Sequence, residues 1–179
     1  DTGARRGEVL AERWEDFDEE AGTLTISRAL IVNSKTNAVT VGPTKRPRSK
    51  SVVALHPETV ERLLARRRQQ RRERLPIGEA WPSEGLSAGL IFTWPDGSFI
   101  HPDVFTRKIS RLTKDASLPR LTPHGFRHSY ATAALAARVP VEVVAARLGN
   151  TPRVIQEVYA HVIPADDAHA AQVVGDLYR

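Results

Sequence analysis

The chain has 179 residues, 41% apolar and 26% charged, which places it among globular proteins and excludes a disordered one. Its formal net charge is +5 with a pI near 10.0, a balance that favours a polyanionic partner. Cysteine is absent, which excludes disulfides, thiolate metal clusters and a cysteine nucleophile, and no apolar run approaches the ~20 residues of a membrane span.

Methionine is also absent, and the chain opens on Asp1 without a signal-peptide pattern, so a piece of a longer protein is expected. Residues 3–13 read as a helix ending before Trp14. Leu24 to Val32 is one β-rich run. Val39 to Val41 and Ser51 to Leu55 are further short strands, with Gly42-Pro43 as a turn between them. Pro57 opens a helix that continues from Glu58 to Arg74, with Val60, Leu63 and Leu64 as its apolar stripe. Residues 76–90 read as a loop, and Pro95-Asp96-Gly97 as a turn. Pro102 to Ala116 is helical, with Val104, Phe105, Ile109 and Leu112 at helical spacing. His124 to Ala137, Val141 to Leu148, Pro152 to Ala160 and Ala165 to Leu177 follow as helices. Strands followed by a run of helices point to an α+β fold, mostly helical with a small sheet near the N-terminus.

Charge is unevenly spread. Residues 45–74 hold eleven Lys or Arg against three Glu, a local +8, so the other 149 residues sum to −3. A concentrated patch of this kind is what phosphate binding requires; an Arg-rich solvated helix face is the plainer reading.

Polar motifs follow in a fixed order. Thr2-Gly3-Ala4-Arg5-Arg6-Gly7-Glu8 opens the chain. Thr44-Lys45-Arg46 precedes the strand Val52 to Leu55. Then come His124-Gly125-Phe126-Arg127-His128, Leu148-Gly149-Asn150 and Tyr159-Ala160-His161-Val162. This ordered set resembles the catalytic domain of the tyrosine recombinases, the phage integrase family, over essentially all of residues 1–179. Gly89-Leu90-Ile91-Phe92 and Arg127-His128-Ser129 add to the likeness.

The resemblance implies a DNA breaking-rejoining fold and a site-specific recombinase. Its motif residues fall on Arg5, Lys45, His124, Arg127, Asn150 and the nucleophile Tyr159, with Arg46, Arg48 and Lys50 beside them as DNA-binding cations. Such chemistry suits these residue types. Two guanidiniums can clamp the non-bridging oxygens of a phosphodiester as charge builds in the transition state, each worth ~3–4 kcal/mol by analogy with one oxyanion donor. A phenoxide leaves readily, which keeps a tyrosyl intermediate reversible. Lys45 is the expected general acid for the 5′-hydroxyl, and His124 the group that takes the Tyr159 proton or holds the phosphate.

No cofactor and no metal are implied. The expected partner is double-stranded DNA, with no membrane. The resemblance also implies a tetramer on DNA through exchange of the last helix, where Val173, Val174, Leu177 and Tyr178 cluster. An accessory directionality factor, a cytoplasmic, nucleoid-associated location and a mobile genetic element fit the same picture. A DNA-clamping domain and helices before Thr2 are expected to be missing. The face at Val9, Leu10 and Trp14 is then exposed or differently covered.

One position departs from the pattern. The family usually has His, sometimes Trp, after Leu-Gly, where this chain has Asn150; the nine-residue spacing to Tyr159 is kept. Asn donates a hydrogen bond but carries no titrating proton. Reduced activity is therefore expected, and an impaired remnant that only binds DNA is the alternative. A type IB topoisomerase shares the Arg, Lys, Arg and Tyr logic but not the Thr-Gly-x-Arg opening. Of the remaining residues, Arg6 reads as solvent-facing, Glu8 as a partner that orients a catalytic group, His128 as a buried hydrogen-bonded histidine, and Tyr130 as packing.

Overall fold

The computed structural model describes residues 2–44, 51–162, 172 and 174–176. Lys45, Arg46, Arg48 and Lys50 lie outside the described residues, as do Val173, Leu177 and Tyr178 of the expected last helix. The architecture is α+β, with antiparallel strands confined to the first third and helices after them.

Helix α1 covers Arg6–Ala11, shorter than expected. Its start is set by Glu8, whose carboxylate accepts the Arg5 backbone N–H at 2.7 Å, the return half of a capping box. It ends where Glu12 turns extended, and the Glu12 carbonyl accepts the Ile91 N–H at 2.9 Å.

The β-rich run is two strands, not one. Strand β1 is Phe17–Asp18, β2 is Thr23–Ile26 and β3 is Arg28–Val32. β2 sits between β1 and β5 (Ser51–Ala54), while β3, among the described residues, pairs with β4 (Val39–Pro43) alone. The break at Ser27 lets the two halves face different cores. Leu24, Ile26 and Val53 pack with Phe17, Leu63 and Ile91, whereas Leu30 packs with Leu10 and Ala11. Gly42-Pro43 is not a turn but the end of β4, paired with Ala29 and Arg28. A proline is tolerated there because β4 is an edge strand. Leu10 is buried rather than exposed, covered by Leu30, while Val9 and Trp14 are half-buried.

Helices α2 (Pro57–Arg74), α3 (Pro102–Asp115), α4 (Pro123–Ala136) and α6 (Pro152–Tyr159) all open with proline at the first turn, where its missing N–H leaves no bond unmade. Each has a capping side chain: His56, His101, Thr122 and Thr151. On α2, Leu63 is buried and Val60 and Leu64 are half-buried against the same core, as the stripe predicts. On α3, Leu112 is 58% exposed and Thr113 is buried instead. The inward row is Phe105, Ile109 and Thr113, each four residues on, and Thr113 satisfies its hydroxyl on the Ser110 carbonyl at 3.1 Å.

The last core joins α4, α5 (Val141–Arg147) and α6. It consists of Ala131, Leu135, Val144, Ala145, Leu148, Ile155 and Tyr159. Burying each large aliphatic there contributes roughly 1.5–3 kcal/mol. Among the described residues, no helix is long and apolar enough to cross a membrane.

The basic segment is not one uniform surface. Arg66 is turned inward, donating to the Ile91 and Thr93 carbonyls at 3.1 and 3.3 Å and pairing with Glu73 at 2.9 Å. Arg67 lies over the Trp14 ring, 5.0 Å from its centroid. Arg68, Arg71, Arg72 and Arg74 are exposed.

Candidate active site

The site forms where the start of α1 meets the first turns of α4 and the ends of α5 and α6. Arg5 is the residue before α1. Its Nη1 donates to Glu8 Oε1 at 2.8 Å, and Glu8 is itself only 4% exposed. A buried carboxylate thus fixes both the backbone and the guanidinium of Arg5. The neighbouring Arg6 is not free in solvent. Its Nη1 bonds Asp103 at 2.9 Å and Thr106 Oγ1 at 2.7 Å, tying α1 to α3.

On α4, Thr122 Oγ1 accepts the Gly125 N–H at 3.0 Å, which starts the helix one residue before His124. His124, Arg127 and His128 then stand three and four residues apart on one face. Arg127 is 6% exposed. It donates through Nη1 to the Gly3 carbonyl at 2.8 Å and through Nη2 to the Leu148 carbonyl. Burial, and next the Arg5 cation, lower its pKa to about 10, so it remains charged at neutral pH. Gly3 presents its carbonyl from a left-handed conformation (φ +66°), with Leu148 and Tyr130 packed where a side chain would stand.

Leu148-Gly149-Asn150 is a helix stop. The Asn150 N–H bonds the Ala145 carbonyl at 2.9 Å and the Gly149 N–H bonds Ala146 at 3.0 Å, the paired bonds of a Schellman motif. Gly149 has φ +58°, the left-handed geometry this stop requires. The stop delivers the Leu148 carbonyl to Arg127 and the Asn150 side chain to Arg5. Asn150 Oδ1 accepts from Arg5 Nη2 at 3.3 Å. Since arginine can only donate, the amide oxygen faces Arg5 and the Nδ2 hydrogens face elsewhere.

Tyr159 is the last residue of α6, one turn after Ile155, and both are buried in the last core. Tyr159 is 7% exposed. Its hydroxyl lies 2.7 Å from His128 Nδ1. His128 Nε2 in turn lies 2.7 Å from His124 Nε2. Burial raises the phenol pKa, and the Arg127 cation works against that. Burial, followed by His128, Arg127 and Arg5, lowers the pKa of His124. A cleft of about 440 Å³ opens beside these groups, lined by Arg5, Arg6, Thr106, Thr122, His124 and Arg127.

Five of the six expected residues therefore converge: Arg5, His124, Arg127, Asn150 and Tyr159. The sixth, Lys45, lies outside the described residues, as do Arg46, Arg48 and Lys50. The sequence reads His128 as a buried hydrogen-bonded histidine; it is half-buried, and its partner is the Tyr159 hydroxyl. The available signal was its spacing of four from His124, which puts both rings on one helix face.

A helical domain with a small antiparallel sheet and two arginines, two histidines and a tyrosine at one seam has the form of a DNA integrase or recombinase catalytic domain. The chain belongs to the Phage integrase family, whose match covers residues 1–165. It is 28% identical over 185 residues to a tyrosine recombinase XerC-like protein of Caldanaerobacter subterraneus subsp. tengcongensis, covering 99% of this chain and 47% of that protein. It is 27% identical to the ICEBs1 integrase of Bacillus subtilis, covering 98% of this chain and 46% of that one. The chain thus spans about half the length of the curated relatives it matches. Its fold is also that of the Tn1549 transposon integrase solved in complex with a circular intermediate DNA. That likeness has a TM-score of 0.77 at 18% identity, over 96% of this chain and 54% of the other.

Proposed function

We propose that this chain is the catalytic domain of a site-specific DNA recombinase of the integrase type. The observation that carries the reading is the hydroxyl of the buried Tyr159 held at the same seam as Arg127, Arg5 and two histidines. Tyr159 Oη attacks a DNA phosphorus, the P–O5′ bond breaks, and a 3′-phosphotyrosyl bond forms. The phenol proton leaves to a base, and the departing 5′-oxygen takes a proton from an acid, the role assigned to Lys45. A second 5′-hydroxyl then reverses the step, so bond energy is conserved. Arg5 and Arg127 supply fixed positive charge beside the phosphate, and Glu8 and the two backbone carbonyls hold them in place.

Double-stranded DNA is the proposed substrate, with Arg46, Arg48, Lys50 and the exposed arginines of α2 on its phosphates. Assembly as a tetramer through the last helix, an accessory directionality factor and a cytoplasmic location at the nucleoid complete the proposal. Asn150 supports a second reading, a DNA-binding domain that no longer cuts. Against it, Asn150 keeps a bond to Arg5 and leaves its amide hydrogens to donate to a phosphate.

A nicked duplex carrying the junction sequence that flanks the encoding gene separates the two readings. The protein that carries this chain is expected to form a covalent adduct on a denaturing gel, lost in Tyr159→Phe. Binding without any adduct, restored by Asn150→His, would leave the second reading.

A further inference from the structure

We propose that His128, not His124, is the catalytic residue that takes the proton from Tyr159, and that it passes a proton on to His124 at the cleft. The inference rests on the recombinase reading above and assigns a group within that site.

The hydrogen bonds set the order of the groups, and the proposed transfer sets their direction. Among the described residues, the Tyr159 hydroxyl meets His128 Nδ1 at 2.7 Å. The other nitrogen of the same ring meets His124 Nε2 at 2.7 Å. A phenol that donates to Nδ1 requires that nitrogen to be bare, so His128 carries its proton on Nε2. That proton points at His124 Nε2, which must be bare in turn, leaving the His124 proton on Nδ1. The ring centroids of the two histidines are 4.3 Å apart and their planes are nearly perpendicular. His124 lines the cleft, while Tyr159 is nearly covered. His128 bridges them, so His124 reaches the nucleophile through it.

As Tyr159 Oη bonds phosphorus and the P–O5′ pair leaves with the 5′-oxygen, the phenol proton moves to His128 Nδ1. The His128 Nε2 proton moves to His124 Nε2. His128 ends neutral in its other tautomer, and His124 ends as an imidazolium facing the cleft. The 5′-oxygen takes its own proton from the separate acid. Facing this pair are Arg127 on α4, Arg5 before α1 and Tyr159 on α6. Burial and the neighbouring charges keep His124 below the usual histidine pKa, which favours a neutral acceptor in the resting state. Asn150, lacking a titrating ring, offers no competing route.

Two measurements test the relay. Side-chain ¹⁵N spectra of the chain without DNA report the tautomers directly. His128 is expected with Nε2 protonated and Nδ1 bare, its signals moving in Tyr159→Phe; protonated Nδ1 would overturn the proposal. The second is single-turnover adduct formation on the nicked duplex against pH. His128→Asn places an amide oxygen near the Nδ1 position, so it keeps a hydrogen bond to the phenol but takes no proton. A rate loss on the order of 10²–10⁴-fold at neutral pH is expected, shrinking as pH rises toward phenol ionisation. A His128→Asn rate within threefold of wild type, with an unchanged pH profile, would reduce His128 to a positioning role and refute the relay alone. No adduct from wild type would instead defeat the recombinase reading, and the relay with it.

Discussion

Glu12 ends the first helix segment with the residue 2% exposed and, among the described residues, no hydrogen-bond partner for either carboxyl oxygen. Burial first, then the Asp16 and Glu8 charges, raise its pKa from 4.5 to about 8, with Arg28 pulling the other way. The folded state therefore holds a proton that the unfolded chain gives up above pH 4.5. Stability from this group is complete below the unfolded value and is lost as pH rises, levelling off above about 8. At pH 7 the gap is about 2.5 pH units, which at 1.36 kcal/mol per unit penalises folding by about 3 kcal/mol. Glu12→Gln keeps the shape and removes the titration. Urea unfolding at pH 4.5 and pH 7.5 is expected to show the variant little different in acid and more stable by about 2–4 kcal/mol near neutrality. Parallel pH dependences for the two proteins would refute the argument, because they would mean that Glu12 is ionised in the folded state at no penalty.

Three further variants have outcomes set by the geometry. Gly149→Ala forces a side chain into a left-handed turn, so about 1 kcal/mol of stability is expected to go, measured by urea unfolding. Because Asn150 and the Leu148 carbonyl hang on that turn, adduct formation is expected to fall more than stability does. Arg66→Ala removes charged hydrogen bonds to Ile91, Thr93 and Glu73 and is expected to cost about 2–3 kcal/mol in the same assay. Arg68→Ala, at an exposed position, is expected to leave stability unchanged and to lower the salt slope of DNA binding by about one.

Much of this was legible in the sequence, for identifiable reasons. Proline followed by periodic apolar residues marks α2, α3 and α6 because it encodes helix starts locally. Leu148-Gly149-Asn150 is a C-cap signature for the same reason. The split between β2 and β3 was not legible: Leu24 to Val32 is continuously β-prone, and only the two separate cores on which Ile26 and Leu30 pack enforce the break at Ser27. Arg66 and Arg67 carry the same charge as Arg68, and which of them turns inward depends on carbonyls and a tryptophan distant in sequence. The five residues that converge at the candidate site stand in the motif order that the sequence shows. The anchoring of Arg127 on Gly3 and Leu148, and the place of His128 against Tyr159, required α4, α5 and α6 to be docked together.

Strand cleavage by this chain requires that the Tyr159 oxygen become bonded to DNA. The chain has three tyrosines, at 130, 159 and 178. Trypsin cutting after Arg153 releases a peptide with Tyr159 and Tyr178, so fragment-ion mass spectrometry of the nuclease-trimmed adduct must separate the two. A nucleotide phosphate is expected on Tyr159, and on neither of the others. A nucleotide on Tyr130 or Tyr178, or on no tyrosine, would contradict that assignment.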